Sequence, residues 1–185
     1  MSAQARKTIP VTITHLEMHG RPERPRMALP SLPGKIVSLM RAKDPTADFY
    51  RFLYGSVGKP WHWYERLQLN DEDLLALVRH PAVEISVLYV DGVPAGYFEL
   101  DATQPGEIEL KYFGLMPEFI GLKLGPWLLD TAINTAWDKA PGRVWVHTCT
   151  LDHPKALATY QKAGFAPFAQ ERHEITDPSQ FPDSV

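Results

Sequence analysis

From Leu115 to Trp127 the chain reads LMPEFIGLKLGPW, and Gly121 and Gly125 stand just ahead of a stretch with helical apolar spacing. A strand that passes through a glycine-containing loop into a helix makes an anion site. The first N–H groups of the helix lack intrahelical acceptors, and the helix dipole adds partial positive charge there. Gly121 and Gly125 would let a phosphate reach the backbone, or they serve a turn that needs only their torsions. Pro126 fits a first turn, where its missing N–H has no partner to lose. Lys123 would set a cation beside such a site or lie solvated outside it. Upstream, Glu107, Glu109 and Lys111 share one face of a strand by alternation. Glu84 and Glu99 lie on the preceding strands, so several carboxylates could converge for acid–base work or decorate a solvated face. Histidine titrates near neutrality, which makes His147 and His153 alternative proton acceptors. The lone thiol, Cys149, has no sequence-adjacent base to activate it and reads as a packed small residue on an apolar strand.

These residues need a scaffold. Val11 to Met18 alternates apolar and polar residues, the pattern of a half-buried strand. Residues 20–34 carry Pro22, Pro25, Pro30 and Pro33 with Arg21, Arg24 and Arg26, which predicts an extended, solvated loop. Asp44 to Asp48 offers helix-start chemistry before the aromatic run FYRFLYGSV, and Gly55, Gly58 and Pro60 end that helix. Asn70-Asp71 opens a second helix that Pro81 stops. Val83–Val90, Ala95–Asp101 and Ile108–Leu115 form three strands joined by turns at Asp91-Gly92 and Gln104-Pro105-Gly106. Trp127 to Ala140 buries Leu128, Ala132, Ile133 and Ala136 on one helical face, and Pro141-Gly142 breaks it. A strand Val144–Thr150, a helix Pro154–Ala163 and a strand Phe165–Arg172 close the chain. The predicted class is α/β, or α+β: a three-layer domain on a mixed sheet.

Composition bounds what such a scaffold could serve. The chain has 185 residues, 44% hydrophobic and 22% charged, a globular profile that predicts one domain over 1–185 with a real core. Its net charge of −3 lacks the basic footprint of a nucleic-acid binder. No apolar run approaches the ~20 residues of a membrane span, and the N-terminus has no secretory h-region. One cysteine excludes an intrachain disulfide framework and a cysteine-rich zinc site, and suits a reducing compartment. The expectation is a cytoplasmic protein with neither nucleic acid nor membrane as partner, and no metal.

Two blocks of the sequence resemble the acetyl-CoA-binding core of the GNAT N-acetyltransferase superfamily. The family's Q/R-x-x-G-x-G/A signature, after a strand and a V-x-P-like step, lies over Leu115-Met116-Pro117 and Ile120 to Gly125. Gly125 matches and Gly121 falls where many members carry glycine, while Ile120 replaces Gln or Arg and Lys123 replaces the first glycine. The second block, N-x-x-A-x-x-x-Y-x-K-x-G-F, lies over His153, Ala156, Tyr160, Lys162, Gly164 and Phe165, with only its Asn replaced, by His153.

The resemblance implies a central mixed, mostly antiparallel sheet, with the acetyl-CoA-binding core at 106–173 and residues 1–34 as an N-terminal strand and loop. It implies acetyl-CoA as co-substrate. Its pyrophosphate would rest on backbone amides across Gly121 and Leu122 to Trp127 (Leu122, Lys123, Leu124, Gly125, Pro126, Trp127), and its pantetheine between strand edges at Leu115, Met116 and Thr148, beside His153. Tyr160 matches the tyrosine that protonates the leaving thiolate, and Glu109 stands near the place of a catalytic glutamate. Direct attack in a ternary complex is expected, on a small-molecule or peptide amine; a homodimer is allowed. The aromatic stretch from Phe49 to Tyr64 is expected to contribute to the acceptor pocket. A non-catalytic acyl-CoA-binding or sensory domain of the same fold, or a protein-interaction module using exposed aromatics, are the competing readings.

Overall fold

Caps and turns fall where side-chain chemistry asks for them. Thr46 accepts the Phe49 N–H at 3.2 Å and opens α1 (Ala47–Gly58). Asn70 accepts the Asp73 N–H at 2.8 Å and opens α2 (Asp71–Val78). Asp91 and Gly92, with φ of 51° and 81°, make the tight turn joining β3 (Val83–Val90) to β4 (Val93–Asp101). The computed structural model, which describes residues 7–177, adds β1 (Thr8–Met18), β2 (Val37–Ala42), β5 (Glu107–Leu115), α3 (Leu124–Trp137), β6 (Arg143–Cys149), α4 (Ala156–Ala163) and β7 (Ala166–Thr176).

All seven strands form one sheet in the order β2-β3-β4-β5-β6-β1-β7. Every adjacent pair is antiparallel except β5–β6, which is parallel. Helices cover both faces, so the three-layer, mixed and mostly antiparallel class holds. On one face Leu124, Leu128, Ala132, Ile133 and Ala136 of α3, joined by Tyr160 of α4, pack on Leu16, Leu100, Leu110, Val144 and Val146. On the other, Tyr50, Leu53, Tyr54 and Val57 of α1 and Leu74 and Val78 of α2 pack on Ile85, Val87 and Tyr97. Alternation sends successive strand residues to these two cores.

Two expectations need correction. Strand β2 was not anticipated: it pairs with β3 at the sheet edge, and Met40 is 60% exposed, so no buried stripe marks it. The arginine-rich segment after β1 is not a freely solvated loop. Arg21 and Arg26 bond Asp138 at 2.6 and 2.7 Å, Arg24 bonds buried Asp130, and Asp130 also accepts the Met27 N–H at 2.8 Å. Those carboxylates belong to α3 and its end, so the segment is strapped across that helix and its arginines are engaged. β1, for its part, sits between β6 and β7, bonded to both.

Candidate active site

Strands β5 and β6 pair at only three positions, Glu107↔Arg143, Ile108↔Val144 and Glu109↔Trp145. Both continue beyond that point, yet each is held by its outer neighbour instead. β4 holds β5 as far as Leu115, and β1 holds β6 as far as Cys149. The β4–β5 register also slips between Glu99 and Leu100, leaving Lys111 as the extra residue, and such a bulge turns a strand. The outcome is a fork in the sheet. Its two inner edges carry backbone groups that the ladder does not use, a place for an extended chain to lie between strands.

The end of β5 leads into the glycine loop. The Met116 N–H donates to the Ala95 carbonyl at 2.9 Å, Pro117–Phe119 makes one 3-10 turn, and Gly121 takes φ +91°. Lys123 adopts a left-handed φ of 61° and precedes α3 without giving it a side-chain cap. Leu124 is fully buried and fixes the helix start, so the N–H groups of Leu124, Gly125 and Trp127 lie in an uncapped first turn, with Pro126 between. The two glycines separate in role. Gly121 supplies a torsion that other residues resist, whereas a Cβ at Gly125 would meet only Leu115 Cδ1 at 3.6 Å. Protein packing therefore does not require a glycine at 125. An open approach to the helix N-terminus is what it leaves, and that fits a phosphate.

Proton-handling groups flank the fork on both faces. On the α3–α4 face, Tyr160 is buried with its ring 6.4 Å from Phe113 and 6.0 Å from Phe165. Burial, reinforced by the Asp152 carboxylate, pushes its phenol well above the usual range. On the opposite face, buried Glu109 bonds His147 Nδ1 at 2.9 Å and accepts from Lys111 Nζ at 3.0 Å. Thr148 directs its hydroxyl to Asp152 at 2.8 Å, so its edge offers backbone rather than side chain to the fork. His153 accepts the Lys155 N–H at 3.0 Å through Nδ1 and packs on Trp61 with centroids 5.0 Å apart. An Asn side chain could make that same local turn.

Other expected contributors are placed elsewhere. Glu99 is fully buried, accepting from Tyr50 at 2.6 Å and Arg66 at 3.0 Å, and burial raises its pKa. It is a structural charge under α1. Glu84 bonds Lys139 at 2.6 Å, away from the fork. Burial also raises the Cys149 thiol, the opposite of nucleophile activation. The aromatic stretch of α1 divides: Tyr50 and Tyr54 are core, while Trp63 packs on Tyr112 and donates to Asp152 at 3.4 Å, bridging toward the end of β6. A groove of about 480 Å³ between α1 and the Met116–Phe119 segment, and one of about 330 Å³ beside Leu122, border the loop from outside. Sequence reading missed Trp145, His15 and Phe168, whose rings join His147 on the Glu109 face. They come from three strands distant in sequence, and only alternation on β6 and β1 hinted at a shared side.

No helix of the described residues is long and apolar enough to cross a membrane, and none of their His, Cys, Asp or Glu side chains gather in threes to hold a metal ion. The family model of the acetyltransferase (GNAT) family matches residues 45–165. No curated protein matches the sequence. Among solved structures, a GCN5-related N-acetyltransferase from Sphaerobacter thermophilus is similar at 16% identity and TM-score 0.61, over 92% of this chain and 54% of that one. One from Kribbella flavida aligns at 17% identity and TM-score 0.53, over 90% and 58%. An aminoglycoside acetyltransferase from an uncultured soil metagenomic sample aligns at 12% identity and TM-score 0.57, over 69% and 87%. The chain thus spans little more than half of the first two, and at these identities the likeness is one of fold.

Proposed function

Because the chain belongs to the GNAT acetyltransferase family, we propose that it transfers the acetyl group of acetyl-CoA to a primary amine by direct attack. The observation that carries this reading is the fork between β5 and β6, with the uncapped start of α3 at its mouth. The amides of Leu124, Gly125 and Trp127 would take the pyrophosphate, the edges at Leu115, Met116 and Thr148 the pantetheine arm. Lys123 would add a cation at the margin. A chain with one free cysteine and this co-substrate is suited to the cytoplasm.

The arrangement of acid and base follows from the fork passing through the sheet. An amine approaching from the Glu109 face gives a proton to the Glu109–His147 pair and attacks the thioester carbonyl carbon. The N–C bond forms, the C–S bond breaks, and its electron pair stays on sulfur. Tyr160, on the other face, donates a proton to that sulfur. The second proton lost by nitrogen restores the tyrosine, and the pair releases its own to solvent. Each such proton transfer is worth about 10²–10⁴-fold. The high phenol pKa keeps Tyr160 protonated while it waits.

The test is thermal unfolding of the full chain with and without acetyl-CoA, followed by thiol release with a panel of primary amines. A rise in midpoint that scales with ligand concentration and amine-dependent thiol release are expected. Binding without release for every amine would mark a non-catalytic acyl-CoA domain. Absence of both would end the reading.

A further inference from the structure

Among the described residues, helices pack on both faces of the sheet along β3, β4 and β5. The segments β6, β1 and β7 are covered by α3 and α4 on the side of Leu16, Val144 and Val146. On the other side the described residues place no helix over them, and that side carries a row of rings. The His15 ring lies 6.2 Å from Trp145, 6.0 Å from His147 and 5.9 Å from Phe168, and Trp145 lies 6.2 Å from His147. Register explains the gathering: His15 pairs with His147, and a slip between His15 and Leu16 leaves Phe168 as the extra residue of β7. A bulge re-aims a side chain, here onto the imidazole of His15. Phe168 is 47% exposed, and the row begins at His147, bonded to Glu109 where the strands part.

Charge sorts what could lie on this row. Glu17, Glu107, Glu109 and Glu171 surround it, against the fixed cations Arg143 and Lys111. Arg143 is itself spread over the Phe168 ring at 4.7 Å and the Trp145 ring at 5.8 Å. The site has more carboxylates than fixed cations and a floor of rings tilted 35° to 50° to one another, which suits a cation with an aromatic body that can meet ring edges and faces. A hydroxyl-rich polycation would find rings where it needs polar groups.

We propose that the acceptor is a primary arylalkylamine: its ring packs edge-to-face against the tilted rings of His15 and Phe168, and its ammonium is delivered to the Glu109–His147 pair. The row from His147 through His15 to Phe168 advances in steps of 6.0 and 5.9 Å, room for an ammonium, a short alkyl linker and an aryl ring. This rests on the acetyl-transfer reading for the reaction, although binding to the row does not.

The experiment compares 2-phenylethylamine with 2-cyclohexylethylamine, which is similar in size but not flat, and with spermidine. Binding to the full chain is measured by calorimetry, and turnover by thiol release from acetyl-CoA. Expected is a kcat/KM for 2-phenylethylamine about tenfold or more above either comparator. Phe168→Ala should raise the KM for 2-phenylethylamine about fivefold or more with acetyl-CoA affinity unchanged, and Phe168→Tyr should restore it, the scale of one lost aromatic contact. Turnover that favours spermidine, or that ranks the two ring amines equally, overturns the arylalkylamine assignment while leaving acetyl transfer intact. So does a Phe168→Ala variant with wild-type KM. Tight 2-phenylethylamine binding sensitive to Phe168 but without thiol release would uphold the site and overturn the transfer reading instead.

Discussion

Tyr160 and His147 stand on opposite faces of the fork, and their surroundings suit opposite proton roles. The phenol is enclosed by Phe113 and Phe165 and held protonated by burial, and its hydroxyl bonds no group among the described residues. In the proposed reaction it is the proton donor. His147 is half-exposed and uses Nδ1 to bind Glu109, which leaves Nε2 for an incoming amine. Both substitutions should therefore slow turnover without loosening the co-substrate. Tyr160→Phe is expected to lower turnover by about tenfold or more with acetyl-CoA affinity unchanged. His147→Gln is expected to lower kcat by a similar factor, again with acetyl-CoA affinity unchanged, because the Nε2 that would take the proton of the amine is gone. A Tyr160→Phe enzyme with wild-type turnover would reduce the tyrosine to packing, and a His147→Gln enzyme with wild-type turnover would put the base elsewhere.

At the scale of elements, the legible parts were those whose signals are local. Thr46, Asn70 and the Asp91-Gly92 turn act within a few residues, so helix starts and the hairpin could be read directly. The order of β5, loop and α3 was equally plain, because glycines mark the loop and apolar spacing marks the helix. What stayed hidden depends on pairing across distance. The fork exists because β5 and β6 stop pairing after Glu109 and Trp145 while β4 and β1 go on holding their outer edges, and β2 is an edge strand that pairs with β3. Glu99 looked like a cleft carboxylate, yet Tyr50 and Arg66, 49 and 33 residues away, claim it. Local reading expects Gly125 to serve the close approach of a phosphate. Since its Cβ position is nearly empty, Gly125→Val should fold and still fail to bind CoA, the branched side chain standing where phosphate meets the helix amides. Gly125→Ala should weaken binding by less. Circular dichroism with calorimetry checks both, and wild-type CoA affinity in a folded Gly125→Val protein would move the phosphate site away from α3.

The whole molecule depends on segments outside the stretch that marks its family. The family match begins at residue 45, so β1 and β2 both precede it, but they contribute very differently. Among the described residues β2 borders only β3, and it keeps side chains such as Met40 in solvent. β1 lies inside the sheet, joins β7 to β6, and buries Leu16 completely against the α3 core. Removing β1 would leave β7 without its partner and expose the outer edge of β6, the strand whose inner edge is one wall of the fork. The segment after β1 then straps back over α3 through Arg24 and Asp130, so this end of the chain braces both the sheet and the helix that carries the proposed phosphate site. Leu16→Ala is therefore expected to cost about 2–5 kcal/mol, as for other fully buried leucines whose cavity cannot collapse. Met40→Ala should change stability by no more than about 0.5 kcal/mol, the scale of exposed positions. Urea unfolding of the two variants measures the contrast. Equal, small losses would mean that β1 is peripheral despite its place in the sheet. A large loss confined to Leu16→Ala would make the N-terminal strand part of the catalytic scaffold rather than an appendage to it.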